Sequence, residues 1–461
     1  MVKKNITLYL LFLFLAVTVN AQNRQVLYNF ADLPQSLLLN PAIETNYKFH
    51  IGVPLLSGFS ADFGSTGFTV SDLFANNNVS FNDKVNNVLN SLTERDFLKI
   101  NTQIEILSGG YRYNNKLYFS FGFYQETDGI LYFPNDGITF ITEGNASFLN
   151  RNFTASQLLY KLDVLGVLHF GVTKKINEKL SLGGRFKIYS SALNLETANN
   201  RGTLTTTEGT NNIFTHTFSD VDIELKTSGL VNETNDEFIT DVGSYLKNTF
   251  FGPNLGIGID FGFTYNVSKQ LEITGSILDF GFVRHKKNIK NSFVKGDYIF
   301  EGIQFDYDAD NQIDYWRQLD KDFRENIPSG SNLNPYTSFR PTKINSSLRY
   351  SFGEKRSKYC YDNTYKDFYK NAVGVQLFSI FRPLSPQVAL TGFYETSLSK
   401  KFHAKVTYTV DDYSLYNIGA GISCQIGKIN FYGMVDNLAQ FNDIASTNSM
   451  SIQLGFNTIF N

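Results

Sequence analysis

The sequence predicts an all-β protein, a transmembrane antiparallel β-barrel of about 14 strands with long outer loops. Three observations support this fold class: an export signal at the start, segments in which apolar and polar residues alternate, and many aromatic residues (15%) beside few charged ones (18%). The 41 Lys and Arg nearly balance the 43 Asp and Glu. The chain therefore lacks the basic surface of a nucleic-acid-binding protein, and we expect no nucleic-acid partner.

Residues 1–21 have the pattern of a secretory signal peptide. Lys3 and Lys4 precede an apolar run that ends at Val19-Asn20-Ala21, a typical cleavage sequence. The run is shorter than the roughly 20 residues of a transmembrane helix. We therefore divide the chain into a signal peptide (1–21), an N-terminal segment (22–46) and a barrel (47–461).

The alternation is clearest in the hairpin between Leu165 and Tyr189. One face of its first strand carries Gly166, Leu168, Phe170 and Val172, and the other carries Val167, His169, Gly171 and Thr173. A soluble β-sandwich would alternate in the same way. Short turns that alternate with long polar segments favour a barrel, in which the apolar face meets lipid and the polar face lines the lumen.

Fourteen segments alternate in this way, although uncertain boundaries leave 12 or 16 strands open. They lie near 47–63, 104–113, 117–124, 158–173, 180–194, 255–265, 271–282, 343–352, 373–381, 387–396, 402–411, 416–426, 429–436 and 449–460. With this count both ends of the barrel fall on the periplasmic side, whereas the long segments 195–254 and 283–342 fall outside. Near-helical spacing of apolar residues in 71–101 predicts one or two short helices there.

A 14-stranded barrel encloses a lumen that its own wall side chains cannot fill. The segment from Tyr28 to Pro41, which includes Pro34 and Asn40, begins at the periplasmic mouth of this lumen. We therefore predict that it forms a plug or hatch. A flexible periplasmic tail is the alternative.

The polar faces of the strands place charges of both signs in the lumen. They are Arg185, Lys187, Asp260, Glu272, Arg349, Lys405, Asp411 and Asp436. Mixed signs favour pairing, since an ion-selective filter would favour one sign. Val167 and Leu278 are the apolar residues that this register points inward, which does not favour a luminal path for hydrophobic ligands.

The acidic segment Asp306, Asp308, Asp310 and Asp314 spaces oxygen ligands like the first part of a calcium-binding EF-hand loop. Asn311 stands where that loop has its glycine, and Arg317 where it has its bidentate acid. It is thus a weak calcium candidate, and a solvated acidic loop is the alternative. Aromatic residues crowd the same predicted loop (Tyr298, Phe300, Phe305, Tyr307, Tyr315 and Trp316). They predict either a partner-binding surface or packing over the barrel mouth.

No catalytic or cofactor-binding motif occurs in the sequence, and the five histidines do not have metal-ligand spacing. The two cysteines, Cys360 and Cys424, are too few for a disulfide framework or a four-ligand zinc site. We therefore expect a protein that is not an enzyme and has no cofactor.

Several short motifs resemble a Bacteroidota family of outer-membrane proteins of unknown function. They are Leu33-Pro34-Gln35-Ser36, Asn40-Pro41-Ala42, Ile51-Gly52-Val53-Pro54, Ser276-Ile277-Leu278-Asp279-Phe280-Gly281-Phe282, Tyr416-Asn417-Ile418-Gly419-Ala420-Gly421 and Val435-Asp436-Asn437-Leu438. That family is similar in plan to FadL-type transporters and to PorV of the type IX secretion system. The resemblance implies a 14-stranded barrel with an N-terminal hatch in the outer membrane of a Gram-negative bacterium.

Two functions follow from these observations. The first is a non-catalytic scaffold that docks a secretion or cell-surface protein, as PorV-like proteins do, and the long outer segments favour it. The alternative is a FadL-like transporter for hydrophobic or small solutes. For either function, the expected partners are outer-membrane lipid and, during biogenesis, the barrel-assembly machinery.

Overall fold

The structure is a computed structural model that describes residues 24–30, 33–210, 213–233, 237–301, 317, 321, 329–354, 369–399, 401–411, 413–438 and 443–460. Several predictions lie outside the described residues: the signal peptide (1–21), the calcium candidates Asp306, Asp308, Asp310 and Asp314, the aromatic residues Phe305, Tyr307, Tyr315 and Trp316, and Cys360.

The described residues form twenty antiparallel strands in one sheet. The strands are β1 (Phe49–Gly52), β2 (Gly58–Ser65), β3 (Phe97–Asn114), β4 (Leu117–Tyr132), β5 (Asn152–Thr154), β6 (Tyr160–Lys175), β7 (Leu180–Glu208), β8 (Phe214–Ser228), β9 (Leu255–Asn266), β10 (Leu271–His285), β11 (Asn291–Phe300), β12 (Ser329–Asn332), β13 (Tyr336–Phe339), β14 (Lys343–Glu354), β15 (Tyr369–Phe381), β16 (Pro386–Ser399), β17 (Phe402–Val410), β18 (Asn417–Ile426), β19 (Ile429–Asp436) and β20 (Ser449–Phe460).

Helices are few and short. The α-helices are α1 (Val70–Phe74), α2 (Phe81–Ser91), α3 (Asn135–Glu143) and α4 (Val242–Phe251), and 3-10 turns span Pro34–Leu38, Ala155–Gln157 and Ile444–Ser446. The first two lie in the segment where the sequence predicts helices. Within the described part of the chain, no helix is both long enough and apolar enough to cross a membrane.

The sheet closes on itself, because β20 pairs with β19 on one side and with β1 and β2 on the other. β1 and β2 act as one wall strand, and so do β13 and β14, which pair with successive parts of β10. With β5, β8, β11 and β12 outside the wall, the ring has fourteen strands. The predicted 14-stranded antiparallel barrel is therefore confirmed.

The two faces of the wall differ in chemistry, as β6 illustrates. Phe170 and Val172 point outward and are 51% and 41% exposed. His169, which precedes them, and Thr173, which follows them, are buried in the lumen. The same alternation along the other wall strands gives the barrel an apolar outer belt. Such a belt is suited to the hydrocarbon of a lipid bilayer.

The segments 195–254 and 283–342, predicted as long loops, contain regular structure. β7 continues to Glu208 and pairs with β8, which pairs with β11, which in turn pairs with β12. We call the part of this sheet beyond the wall, from Glu196 of β7 through β8, β11 and β12, the outer sheet. Threonine is frequent in these strands, as in the stretch 203–207, and their apolar residues are interrupted by bulges, so they lack the long regular alternation of a wall strand.

A charge in the apolar belt should destabilise the barrel. We expect Phe170→Arg to lower the free energy of unfolding by about 2–4 kcal/mol, because the residue faces lipid near the middle of the belt. Equilibrium denaturation in lipid vesicles measures this change, and Phe170→Leu is the control that keeps the site apolar. Equal stability of the two variants would contradict the assignment of this face to lipid.

Candidate functional site

The N-terminal segment lies inside the barrel. Nearly all described side chains between residues 24 and 47 are buried, and among the most deeply buried are Tyr28, Phe30, Leu33 and Tyr47. The segment has little regular structure besides the 3-10 turn that begins at Pro34, so its backbone polar groups need partners on the wall.

Hydrogen bonds join this segment to strands all around the ring. Tyr28 bonds to Thr274 (2.9 Å), and Asn29 donates to Glu272 (2.7 Å). On the opposite side, the side-chain amides of Gln35 and Asn457 donate to each other, both at 2.9 Å. These contacts hold the segment across the whole width of the lumen.

Two wall glycines leave room for the Asn40-Pro41 corner. A Cβ atom at Gly183 would lie 2.0 Å from the carbonyl oxygen of Pro41, and one at Gly262 would lie 2.1 Å from Oδ1 of Asn40. Thr173 of β6 donates to the same Pro41 carbonyl at 2.6 Å. Only glycine at these two wall positions permits the segment to approach so closely.

A connected set of buried ion pairs crosses the lumen next to the segment. Its members, here called the ion-pair layer, are Arg185, Lys187, Arg340, Lys343 and Arg382 with Glu126, Asp128, Asp163, Asp260 and Asp279. The N–O distances range from 2.5 Å (Arg382 to Asp128) to 3.3 Å (Lys343 to Glu126), and every side chain is at most 10% exposed. Five cations face five carboxylates, so the layer has no excess of either sign.

The layer also contacts the N-terminal segment. The guanidinium of Arg185 donates to the carbonyl oxygens of Leu37 and Leu38 as well as to Asp260, which it meets at 3.0 Å. The segment and the layer are therefore joined by hydrogen bonds and fill this part of the barrel together.

The other predicted lumen residues lie in separate contacts. Arg349 pairs with Glu395 (3.3 Å) and Lys405 donates to the Tyr28 carbonyl (2.8 Å), while Glu272 accepts from Asn29. Asp436 is buried at the end of β19, and Asp411 accepts from the N–H groups of Tyr413 and Ser414 (3.0 Å each).

Sequence reasoning missed seven members of the layer: Glu126, Asp128, Asp163, Asp279, Arg340, Lys343 and Arg382. The strand predicted at 117–124 ends before Glu126 and Asp128, so the prediction left both residues outside the wall. Asp279 has a φ of +58° at a register shift in β10, so simple alternation could not place it. The available signal was the strand-end motif around Asp279, whose carboxylate binds both Lys187 and Lys343.

The lumen also has more apolar residues than the two that alternation identifies. Tyr124, Leu165, Val167, Tyr189 and Val283 form one buried cluster, against which Leu38 of the N-terminal segment packs. A register shift between Val164 and Leu165 explains part of the difference.

An apolar pocket lies outside the wall, between the outer sheet and the connection that contains α3. Its volume is about 320 Å³, and almost all of the surface that lines it is apolar. The lining includes Phe140, Phe153, Leu158, Leu204, Phe218, Val221, Ile223, Val294 and Tyr298. We call it the outer pocket.

Irregularities in three adjacent strands shape the outer pocket. Gly202 of β7, Asp220 of β8 and Gly296 of β11 all have positive φ, at +118°, +51° and +132°. The pairing register shifts beside Gly202 and Gly296. Because such bulges bend a strand and increase its twist, the sheet curves here and leaves a concave face.

The carboxylates at the edge of the outer pocket have partners. Asp136 pairs with Arg151 (2.7 Å) and accepts from the N–H of Thr154 (2.8 Å), and Asp297 accepts from the N–H of Asp220 (2.6 Å). The Arg151 guanidinium in turn lies 4.8 Å from the centre of the Phe153 ring. The aromatic residues Tyr298 and Phe300 of β11 pack within the outer sheet, against Phe218 and His216.

No group of His, Cys, Asp or Glu side chains within the described ranges could hold a metal ion.

A family model described as "Family of unknown function (DUF5723)" matches residues 41–436. A comparison with curated proteins found no match.

A comparison with solved structures matched several transporter barrels at low similarity. The toluene transporter TbuX of Ralstonia pickettii is 11% identical, with a TM-score of 0.42, over 96% of this chain and 97% of that one. A FadL homologue of Pseudomonas aeruginosa is 9% identical, with a TM-score of 0.44, over 94% and 96%. The toluene transporter TodX of Pseudomonas putida is 8% identical, with a TM-score of 0.36, over 95% and 94%. Identities and TM-scores this low do not indicate what this chain binds.

Removing one carboxylate from the ion-pair layer should be strongly destabilising. We expect Asp260→Asn to lower the free energy of unfolding by about 3–5 kcal/mol, because it deprives the buried Arg185 and Lys187 of a shared partner. Denaturant unfolding in lipid vesicles measures the change.

The matched control is Asp222→Asn in the outer sheet. Asp222 pairs with Arg201 and Lys295, whose side chains are 70% and 67% exposed, so water can replace it. If Asp260→Asn lowers the free energy of unfolding no more than Asp222→Asn does, the ion-pair layer does not stabilise the barrel.

Proposed function

We propose that this chain, which belongs to the DUF5723 family of unknown function, is an outer-membrane barrel that captures small, uncharged, apolar molecules at its outer face for uptake. The outer pocket is the single observation that carries this proposal. An exposed concave surface lined by aromatic and aliphatic side chains is the usual form of a binding site for such molecules.

The size of the outer pocket limits the ligand. At about 320 Å³ it is near the lower end of the usual range for ligand sites, roughly 300–1,000 Å³. It is about twice the volume of an engineered apolar cavity of about 150 Å³ that binds benzene. One aromatic ring with short substituents, or a small bicyclic molecule, is the class of ligand that fits.

The chemistry of the lining excludes charged ligands. Of the edge carboxylates, Asp136 is already paired with Arg151, and Asp297 is exposed to solvent, where water screens its charge. A cationic ligand would therefore gain little from either of them. A carboxylate ligand would lose its hydration without gaining a partner on the apolar walls, which is unfavourable by several kcal/mol. An uncharged apolar ligand loses little hydration free energy when it enters the pocket.

The interior of the barrel supports capture at the outer face rather than free diffusion through a pore. Two cavities beside the N-terminal segment measure about 20 and 10 Å³, enough for roughly one water molecule each. Passage of a solute through the lumen would therefore require the segment to move.

The scaffold function that the sequence favoured gains less support. The prediction of a scaffold depended on the interpretation of 195–254 and 283–342 as large loops that are free to bind a partner. Much of these segments instead folds into the outer sheet, whose concave side forms a wall of the pocket. We therefore place uptake of apolar solutes first.

Binding of a fluorescent apolar probe to the protein in lipid nanodiscs tests the proposal. We expect Phe140→Glu to weaken the binding of 1-naphthylamine, an uncharged bicyclic fluorophore, at least about tenfold, since it places a charge in an apolar wall. Ile141→Glu is the matched control, because Ile141 is the next residue of α3 but is 82% exposed and does not line the pocket.

The paired variants also correct for probe that dissolves in the lipid, because this background is the same in both. In the same experiment toluene should displace the probe and benzoate should not. Equal affinity of the two variants, or displacement by benzoate, would contradict an apolar ligand in the outer pocket.

A further inference from the structure

Helix α4 lies against the outward face of the barrel wall. Gly166 of β6 points outward, and a Cβ atom there would lie 1.8 Å from the carbonyl oxygen of Thr249 in the helix. The Phe250 ring stacks on Phe123 of β4, with 5.0 Å between ring centres. The helix therefore covers a part of the wall that would otherwise face outward.

Both ends of α4 are fixed. At its N-terminus the Asp241 carboxylate accepts from the hydroxyl of Ser244 (3.0 Å) and from the N–H groups of Ser244 (2.8 Å) and Gly243 (3.1 Å), which lowers the pKa of Asp241. At its C-terminus Ser190 of β7 donates to the carbonyl of Asn248 (2.6 Å) and accepts from the N–H of Gly252 (2.8 Å).

The helix lies at the upper edge of the apolar belt. The outward-facing residues of β4 are aromatic at Phe119, Phe121 and Phe123 and become polar at Gln125 and Thr127. Because Phe250 stacks on Phe123, α4 is level with the last aromatic ring of this series. This is the height at which hydrocarbon gives way to lipid head groups.

The side of α4 turned away from the wall is mostly apolar. Val242, Leu246 and Phe251 are 69%, 56% and 87% exposed, and Leu255 at the start of β9 continues this surface at 52%. Lys247, the one charged residue among the ten of the helix, is exposed as well, and its long side chain can extend to the lipid head groups. A helix with large exposed apolar side chains at a membrane interface is typical of interfacial anchors.

We infer that α4 is inserted into the outer leaflet of the membrane, where its exposed face contacts the hydrocarbon chains of the lipid. The continuity of this face with the apolar belt identifies lipid as its partner. The inference rests on the membrane location in the proposed function, but not on the ligand of the outer pocket. Inserted in this way, α4 fixes how deeply the barrel lies in the membrane on the side of β6 and β7.

Quenching of a single tryptophan by brominated lipid tests the inference. The chain has one natural tryptophan, so Trp316→Phe provides the background for Phe251→Trp in α4, Phe170→Trp in the belt and Ile299→Trp in the outer sheet. All three native side chains are exposed, at 87%, 51% and 59%. The full-length variants are placed in vesicles of phosphatidylcholines whose acyl chains are brominated both near the head group and near the chain middle, so that both depths are covered, and heat-dependent gel mobility confirms that each variant is folded.

We expect the tryptophans in α4 and in the belt to lose fluorescence to a similar extent and the one in the outer sheet to keep it. Leu246→Trp should repeat the result for α4 on the same exposed face. If the two tryptophans in α4 behave like the one in the outer sheet while the belt tryptophan is quenched, the inference is wrong. If the belt tryptophan is not quenched either, the membrane location itself fails.

Discussion

The fourteen-stranded ring imposes the constraint on which the rest of this structure depends: its lumen is too wide to be filled by the side chains of its own wall. The N-terminal segment and the ion-pair layer together meet that constraint. The segment needs partners for its irregular backbone, and Thr173, Ser276 and Lys405 of the wall supply them through hydrogen bonds to its carbonyl groups. The luminal face is polar for this reason.

The buried charges of the ion-pair layer are tolerable because each is paired. Asp260 bridges Arg185 and Lys187, and Asp279 bridges Lys187 and Lys343, so that each charge lies within hydrogen-bond distance of an opposite one. Isolated burial of any of them would be strongly unfavourable. Since the pairs join strands that are far apart in the sequence, they also favour one register of the ring over its alternatives.

Strand number and wall orientation could be predicted from the sequence, because a lipid-facing strand must alternate. Arg185, Lys187 and Asp260 follow that alternation, which predicts the luminal face for them. Asp279, Arg340 and the outer pocket depend on irregularities instead. The positive φ values at Gly202, Asp220 and Gly296 bend the outer sheet. The alternation of apolar and polar residues along a strand does not reveal such a bend. The outer strands were not predicted because their register shifts interrupt the regular alternation of apolar and polar residues.

If the proposed function is right, solute is captured in the outer pocket before any pathway through the barrel opens. Single-channel recording of the full-length protein in a planar lipid bilayer tests this most directly. We predict no steady conductance, because among the described residues the N-terminal segment and the ion-pair layer occupy the lumen, and the cavities beside the segment hold roughly one water molecule each. A stable, ohmic conductance typical of a water-filled porin would contradict it.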